Sequence, residues 1–173
     1  MIEVIKKAIH ICRKGIRSNK ISILSEGDLE RHLANTIEEI IKNTEDLKDW
    51  KVHTQISYYM TSDSTLKYRV DILIMNEKSK MLDSTLHKGF KYQEESFVLE
   101  VKYLHQNGSI NGVKKDIDKI TYLENATLFV VTLFDIENEK KQKSIEDYCK
   151  LKQDEYPSRL YSEYIIKPLH QGH

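Results

Sequence analysis

Tyr68-Arg69-Val70-Asp71-Ile72-Leu73-Ile74 and Phe97-Val98-Leu99-Glu100-Val101-Lys102-Tyr103 are two apolar runs that each carry charged residues. Both are rich in β-branched and aromatic side chains and read as strands. Side chains alternate between the two faces of a strand, so Glu100 and Lys102 share a face with Val98, and Phe97, Leu99, Val101 and Tyr103 take the other. A charge inside an apolar strand is costly to bury without a partner. Two carboxylates and an ammonium inside such runs are explained most economically if the strands are neighbours and the charged groups meet. Two carboxylates with water and phosphate oxygens suit a hard divalent cation, Mg²⁺ or Mn²⁺. A lysine beside them can orient or deprotonate a water, or balance charge in a transition state.

Asp71 followed by Glu100-Val101-Lys102 resembles the D…(D/E)xK signature of the PD-(D/E)XK, or restriction-endonuclease-like, nuclease superfamily. The short pattern gains specificity from its two hydrophobic strands and the helices around them. The resemblance implies a restriction-endonuclease-like α/β/α sandwich, with a central mixed sheet of four to five strands and an added N-terminal helix. It also implies a Mg²⁺-dependent DNA endonuclease in which Asp71, Glu100 and the backbone carbonyl of Val101 hold the metal and Lys102 serves the attacking water. A catalytically inactive nucleic-acid-binding protein of the same fold is the alternative.

Working outward, Ile2, Ile5, Ala8, Ile9, Cys12 and Ile16 recur at helical spacing, opposite Lys6, Lys7, Arg13, Lys14 and Arg17. This predicts an amphipathic helix over residues 2–18. Its basic face, with Lys6, Lys14 and Arg17, is a candidate phosphate-contacting surface. Ser25 reads as the N-cap of a second helix, with Asp28 three residues on as a short capping box and an apolar stripe of Leu29, Leu33, Ile37, Ile40 and Ile41. Superfamily members carry a glutamate on such a helix. Glu26 and Glu30, four apart and on one face, are the two candidates. The stretch Glu26–Leu33 resembles the helix of archaeal Holliday-junction resolvases, which favours Glu26 and leaves Glu30 open.

Residues 50–60 and 67–75 flank a turn-forming Thr61–Thr65 and predict an antiparallel hairpin. Residues 76–95 are polar and read as an extended hairpin tip or inserted loop, with Lys78, Lys80, His87, Lys88 and Lys91 as possible substrate contacts. A helix is predicted over residues 111–124. Its Asp116–Ile120 segment resembles the D-(I/L)-x-K-(I/L) helix that follows the ExK strand in several nuclease families, which implies that Lys119 reaches the site. Lys115, on the same helix, is a further candidate nucleic-acid contact. Residues 126–134 are almost continuously apolar and predict a strand buried on both faces, parallel to the Glu100 strand through a right-handed crossover. A charged helix follows over 135–156, and residues 159–168 predict a final edge strand or arm. The resemblance covers approximately residues 25–134 of a single domain spanning 1–173.

With 27 basic and 27 acidic residues the chain is formally neutral, so it lacks the overall positive charge common among nucleic-acid binders. Its charge is instead segregated, with a basic first helix and an acidic start to the second. The two cysteines, Cys12 and Cys149, are far apart, which argues against a zinc site or a disulfide scaffold. No Walker, GxGxxG, HExxH or GxSxG motif is present, so nucleotide hydrolysis, zinc proteolysis and α/β-hydrolase chemistry lack support. The N-terminus lacks the apolar core of a signal peptide and no stretch is long enough to span a bilayer, so a cytoplasmic, membrane-free protein is expected. A double-strand break needs two active sites, which makes a homodimer the expected assembly. The apolar face of the first helix or the Tyr161–Ile166 stretch would supply its interface.

Overall fold

Local chemistry sets where the helices begin. The Ser25 hydroxyl accepts from the backbone N–H of Asp28, and the Asp28 carboxylate accepts from that of Leu24, closing a reciprocal cap. It fixes the start of α2, Glu26–Lys42, and so places Glu26 in the first helical residue. Ser109 caps α3, Ile110–Thr121, through Gly112 N–H, and Asn138 caps α4, Glu139–Glu155, through Lys141 N–H. The remaining helix, α1, spans Ile2–Arg17, and a short 3₁₀ turn covers Glu45–Leu47. The computed structural model describes residues 1–59, 66–77, 81–83, 90–92, 96–123 and 126–168.

The strands are β1 Trp50–Tyr59, β2 Leu66–Asn76, β3 Met81–Asp83, β4 Phe90–Tyr92, β5 Ser96–His105, β6 Ala126–Asp135 and β7 Leu160–Ile166. They form one mixed sheet in the order β3-β4-β1-β2-β5-β6-β7. Five are long, the number expected. The sequence between β2 and β5 adds two three-residue strands, so among the described residues the sheet has seven strands, beyond the four to five expected. That segment read as a loop because it lacks the apolar alternation of a half-buried strand. Lys78, Lys80, His87 and Lys88, the substrate contacts expected there, lie outside the described residues, as does the Thr61–Thr65 turn.

The β1–β2 pair is an antiparallel hairpin, and β5 runs parallel to β6 across α3, both as the strand patterns predict. Strand β6 is buried along nearly its whole length and β7 pairs parallel to it. Helices α1 and α2 pack on one face of the sheet, over Ile72, Ile74, Phe97, Leu99 and Val101. Helices α3 and α4 cover the other, over Leu73, Met75, Val98, Leu128 and Val130.

The apolar side of α1 is used inside the molecule: Ile5, Ala8, Ile9, Cys12 and Ile16 are all buried. It is therefore not the dimer surface that its amphipathicity suggested. Among the described residues β7 pairs only with β6. No helix among the described residues is long and apolar enough to cross a membrane.

Candidate active site at a fork in the sheet

Strands β2 and β5 pair from Met75 opposite Ser96 to Ile72 opposite Leu99, and there the ladder stops. Beyond that point β2 stays with β1, while β5 stays with β6 as far as His105 opposite Asp135. Asp71 and Glu100 occupy the next register position, at the mouth of the fork. The ladder bond that β2 no longer supplies is replaced by a side chain, since Asp71 Oδ2 accepts from Val101 N–H at 2.8 Å. The resemblance implies a role for the Val101 carbonyl, whereas the atom engaged here is its N–H.

Lys102 crosses the fork. Its ammonium lies 3.0 Å from Glu100 Oε1, 3.0 Å from Asp116 Oδ2 on α3 and 3.3 Å from Glu26 Oε1 on α2. Glu26 also accepts from Tyr103 N–H at 3.3 Å, which ties the first turn of α2 to β5. Lys119, one turn after Asp116 on α3, approaches Glu100 Oε1 at 3.7 Å. Glu30, one turn after Glu26, accepts from Gln55 Nε2 at 2.6 Å, and its carboxyl feels the charges of Asp71 and Glu26. The structure therefore brings together Asp71, Glu100, Lys102, Lys119 and both candidate glutamates of α2.

Burial is what distinguishes these groups. Glu100 is 1% exposed and Lys102 6%, and Glu100 Oε2 has no hydrogen-bond partner among the described residues. Loss of solvent and the neighbouring Asp71 charge push the Glu100 carboxyl up to about 7, against the pull of Lys102 and Lys119. Burial also raises Asp71, with the Val101 N–H working the other way. Burial alone would favour a neutral Lys102. The charges of Glu100, Glu26 and Asp71, and its hydrogen bond to Asp116, outweigh that and hold the ammonium above the ordinary lysine range.

The basic residues proposed for phosphate contact stand elsewhere. Lys6 pairs with Glu3 and lies over the Tyr161 ring of β7. Lys14 and Arg17 are exposed and border a shallow depression with His10, Arg13 and Ser18. Arg13 is committed to Glu163 and the Tyr164 carbonyl, again on β7. Lys115 is exposed on α3, one turn before Lys119.

Two residues of the site were not singled out as such from the sequence. Asp116 precedes Lys119 by three positions, so a helical wheel places both on the side that meets β5. Gln55 stands in register with Asp71 on the neighbouring strand, between the pairs Thr54–Ile72 and Ile56–Val70. Its φ is 56°, left-handed, in the middle of a strand. Before this point Val52 and Ile72 belong to the α1/α2 side of the core. After it Ile56, Val70 and Tyr68 pack on the α3/α4 side. The hairpin is turned over at Gln55 and Asp71.

Among the described residues no three His, Cys, Asp or Glu side chains are arranged as a ready metal cage. A hard cation does not need one, since Mg²⁺ keeps several waters and is commonly held by one or two carboxylates. Asp71 and the unpartnered Glu100 Oε2 fit that requirement. No protein-family model, curated protein or solved structure matches the chain.

Proposed function

We propose that this chain is a metal-dependent DNA endonuclease of the PD-(D/E)XK type with a restriction-endonuclease-like fold. One observation carries the reading: Asp71, Glu100 and Lys102 meet at the fork between β2 and β5, and a buried carboxylate oxygen there lacks a partner. The packing of helices on both faces of a mixed sheet supports it. Asp71 and Glu100 would be the oxygen donors for Mg²⁺ or Mn²⁺, with the Val101 carbonyl as a further candidate ligand. When bound, the divalent cation supplies positive charge to the scissile phosphate and acidifies a water.

Lys102 does its work as a cation. Three carboxylates keep it protonated, so it orients the attacking water and offsets phosphate charge rather than removing a proton. Glu26 and Asp116 hold the ammonium from the two flanking helices. Lys119 lies beside Glu100, where it can face a phosphate oxygen. Cutting both strands of a duplex calls for two such sites, and a homodimer joined at the outer edge of β7 would supply them.

The test is incubation with supercoiled, linear, single-stranded and branched DNA, and with RNA, in Mg²⁺ and in Mn²⁺. Cleavage of at least one DNA form that stops on chelation is the expected result. No cleavage of any form, with the protein folded, would overturn the assignment.

A further inference from the structure

Among the described residues three non-glycine residues have positive φ, of which Asn19 follows the end of α1 and Ser158 sits in the turn before β7. Gln55 alone lies inside a strand. A non-glycine residue in this region is strained and persists where its surroundings impose it. At Gln55 two things coincide with the strain. The hairpin core changes sides, which brings Asp71 to the fork as the residue in register with it. The side-chain amide, meanwhile, donates at 2.6 Å to Glu30, a carboxylate only 9% exposed. Arg69 Nε also donates to the Gln55 carbonyl at 3.3 Å, clamping the bend to β2.

We infer that Gln55 is a positioning residue: its left-handed backbone turns Asp71 into the fork and its amide fixes the Glu30 carboxylate beside it. The inference rests on the nuclease reading only in what the fixed carboxylates are for. Burial disfavours the ionised form of Glu30, and the Gln55 amide acts against that by hydrogen-bonding to the carboxylate. With the amide absent, Glu30 would be free to rotate away from Asp71 or to take up a proton.

Three variants separate backbone from amide. Gln55→Gly accepts the left-handed conformation without strain but has no amide. Gln55→Ala has neither the amide nor the conformational freedom, and Gln55→Asn tolerates positive φ while keeping a shorter amide. Melting temperatures should place Gln55→Gly above Gln55→Ala by about 2–4 °C. In Mg²⁺, Gln55→Gly should lose roughly 10- to 100-fold in kcat with KM within about twofold, because the Glu30 carboxylate beside Asp71 is no longer fixed while the substrate is still held. Gln55→Asn should recover part of that loss.

Equal melting temperatures for Gly and Ala, or full kcat in Gln55→Gly, would overturn the inference. A wild-type protein that cleaves nothing would instead remove the nuclease reading. The amide contact is then decided by NMR, in which the Gln55 Nε2 protons should shift on Glu30→Ala, and unchanged resonances would count against it.

Discussion

Two carboxylate–lysine clusters border α3, and they behave differently. On the α4 side Asp118 accepts from the Tyr148 hydroxyl at 2.6 Å and pairs with Lys152 at 3.3 Å, and Lys152 also holds Glu155 at 2.8 Å. The Asp118 carboxylate remains 41% exposed, so water completes whatever the protein leaves undone. On the β5 side Asp116, two positions earlier, meets Lys102 in a cluster whose central carboxylate is buried and keeps one oxygen without a hydrogen bond. The residue types match, but their surroundings do not. An exposed network adds little to stability, while a buried and incompletely paired carboxylate costs free energy, as groups at functional sites do.

The largest expected contrast is between the two lysines. Lys102→Ala should reduce cleavage by roughly 10²–10³ and leave DNA binding nearly intact, whereas Lys152→Ala should leave the rate unchanged. Lys102→Arg sharpens this, since arginine keeps the charge and cannot act as a base. Substantial activity in Lys102→Arg supports the electrostatic role inferred from the three carboxylates around the ammonium. Next in size, Asp71→Ala should weaken Mn²⁺ binding by at least about tenfold in a calorimetric titration, with Asp118→Ala unchanged.

A pH dependence distinguishes the clusters without any substrate. The folded chain keeps the Glu100 proton up to about 7, whereas the ordinary carboxyl gives it up near 4.5. A raised carboxyl pKa means that the native state binds more protons than the unfolded one. The Glu100 contribution to stability in chelator should therefore be fully present below pH 4.5 and be lost as pH rises through 7. Glu100→Gln should flatten that decline and raise the melting temperature above pH 7, with no gain below pH 4.5. A Glu100→Gln protein with an unchanged pH profile would show that the carboxyl is not perturbed. The smallest effect belongs to Asp118→Asn, expected to cost about 0–1 kcal/mol in urea unfolding.

Much of this arrangement was legible in the sequence where hydrophobic pattern and local chemistry agree. The apolar runs around Asp71 and Glu100 marked two strands. The β5–α3–β6 order required a parallel crossover, and the Ser25–Asp28 pair located the start of α2 and hence Glu26. Features that depend on register or on an unusual backbone were not legible. Regular alternation from Val52 to Tyr58 put Val52 and Ile56 on one face, because no glycine announces the turnover at Gln55. Strands β3 and β4 lie in a segment with too few apolar residues to signal pairing. The first helix advertised an apolar stripe but not its partner, which proved to be the molecule's own core. Asp116 entered the sequence reading only as the start of the Asp116–Ile120 segment, and its place in the site came with Lys102 on β5.

The measurement closest to the central claim is anomalous diffraction from crystals soaked in Mn²⁺. The account predicts a metal peak at the mouth of the fork, bonded by Asp71 and Glu100, with Glu100 Oε2 among its ligands. Absence of a peak there at saturating Mn²⁺, with Lys102 still seated on Glu100, would contradict it.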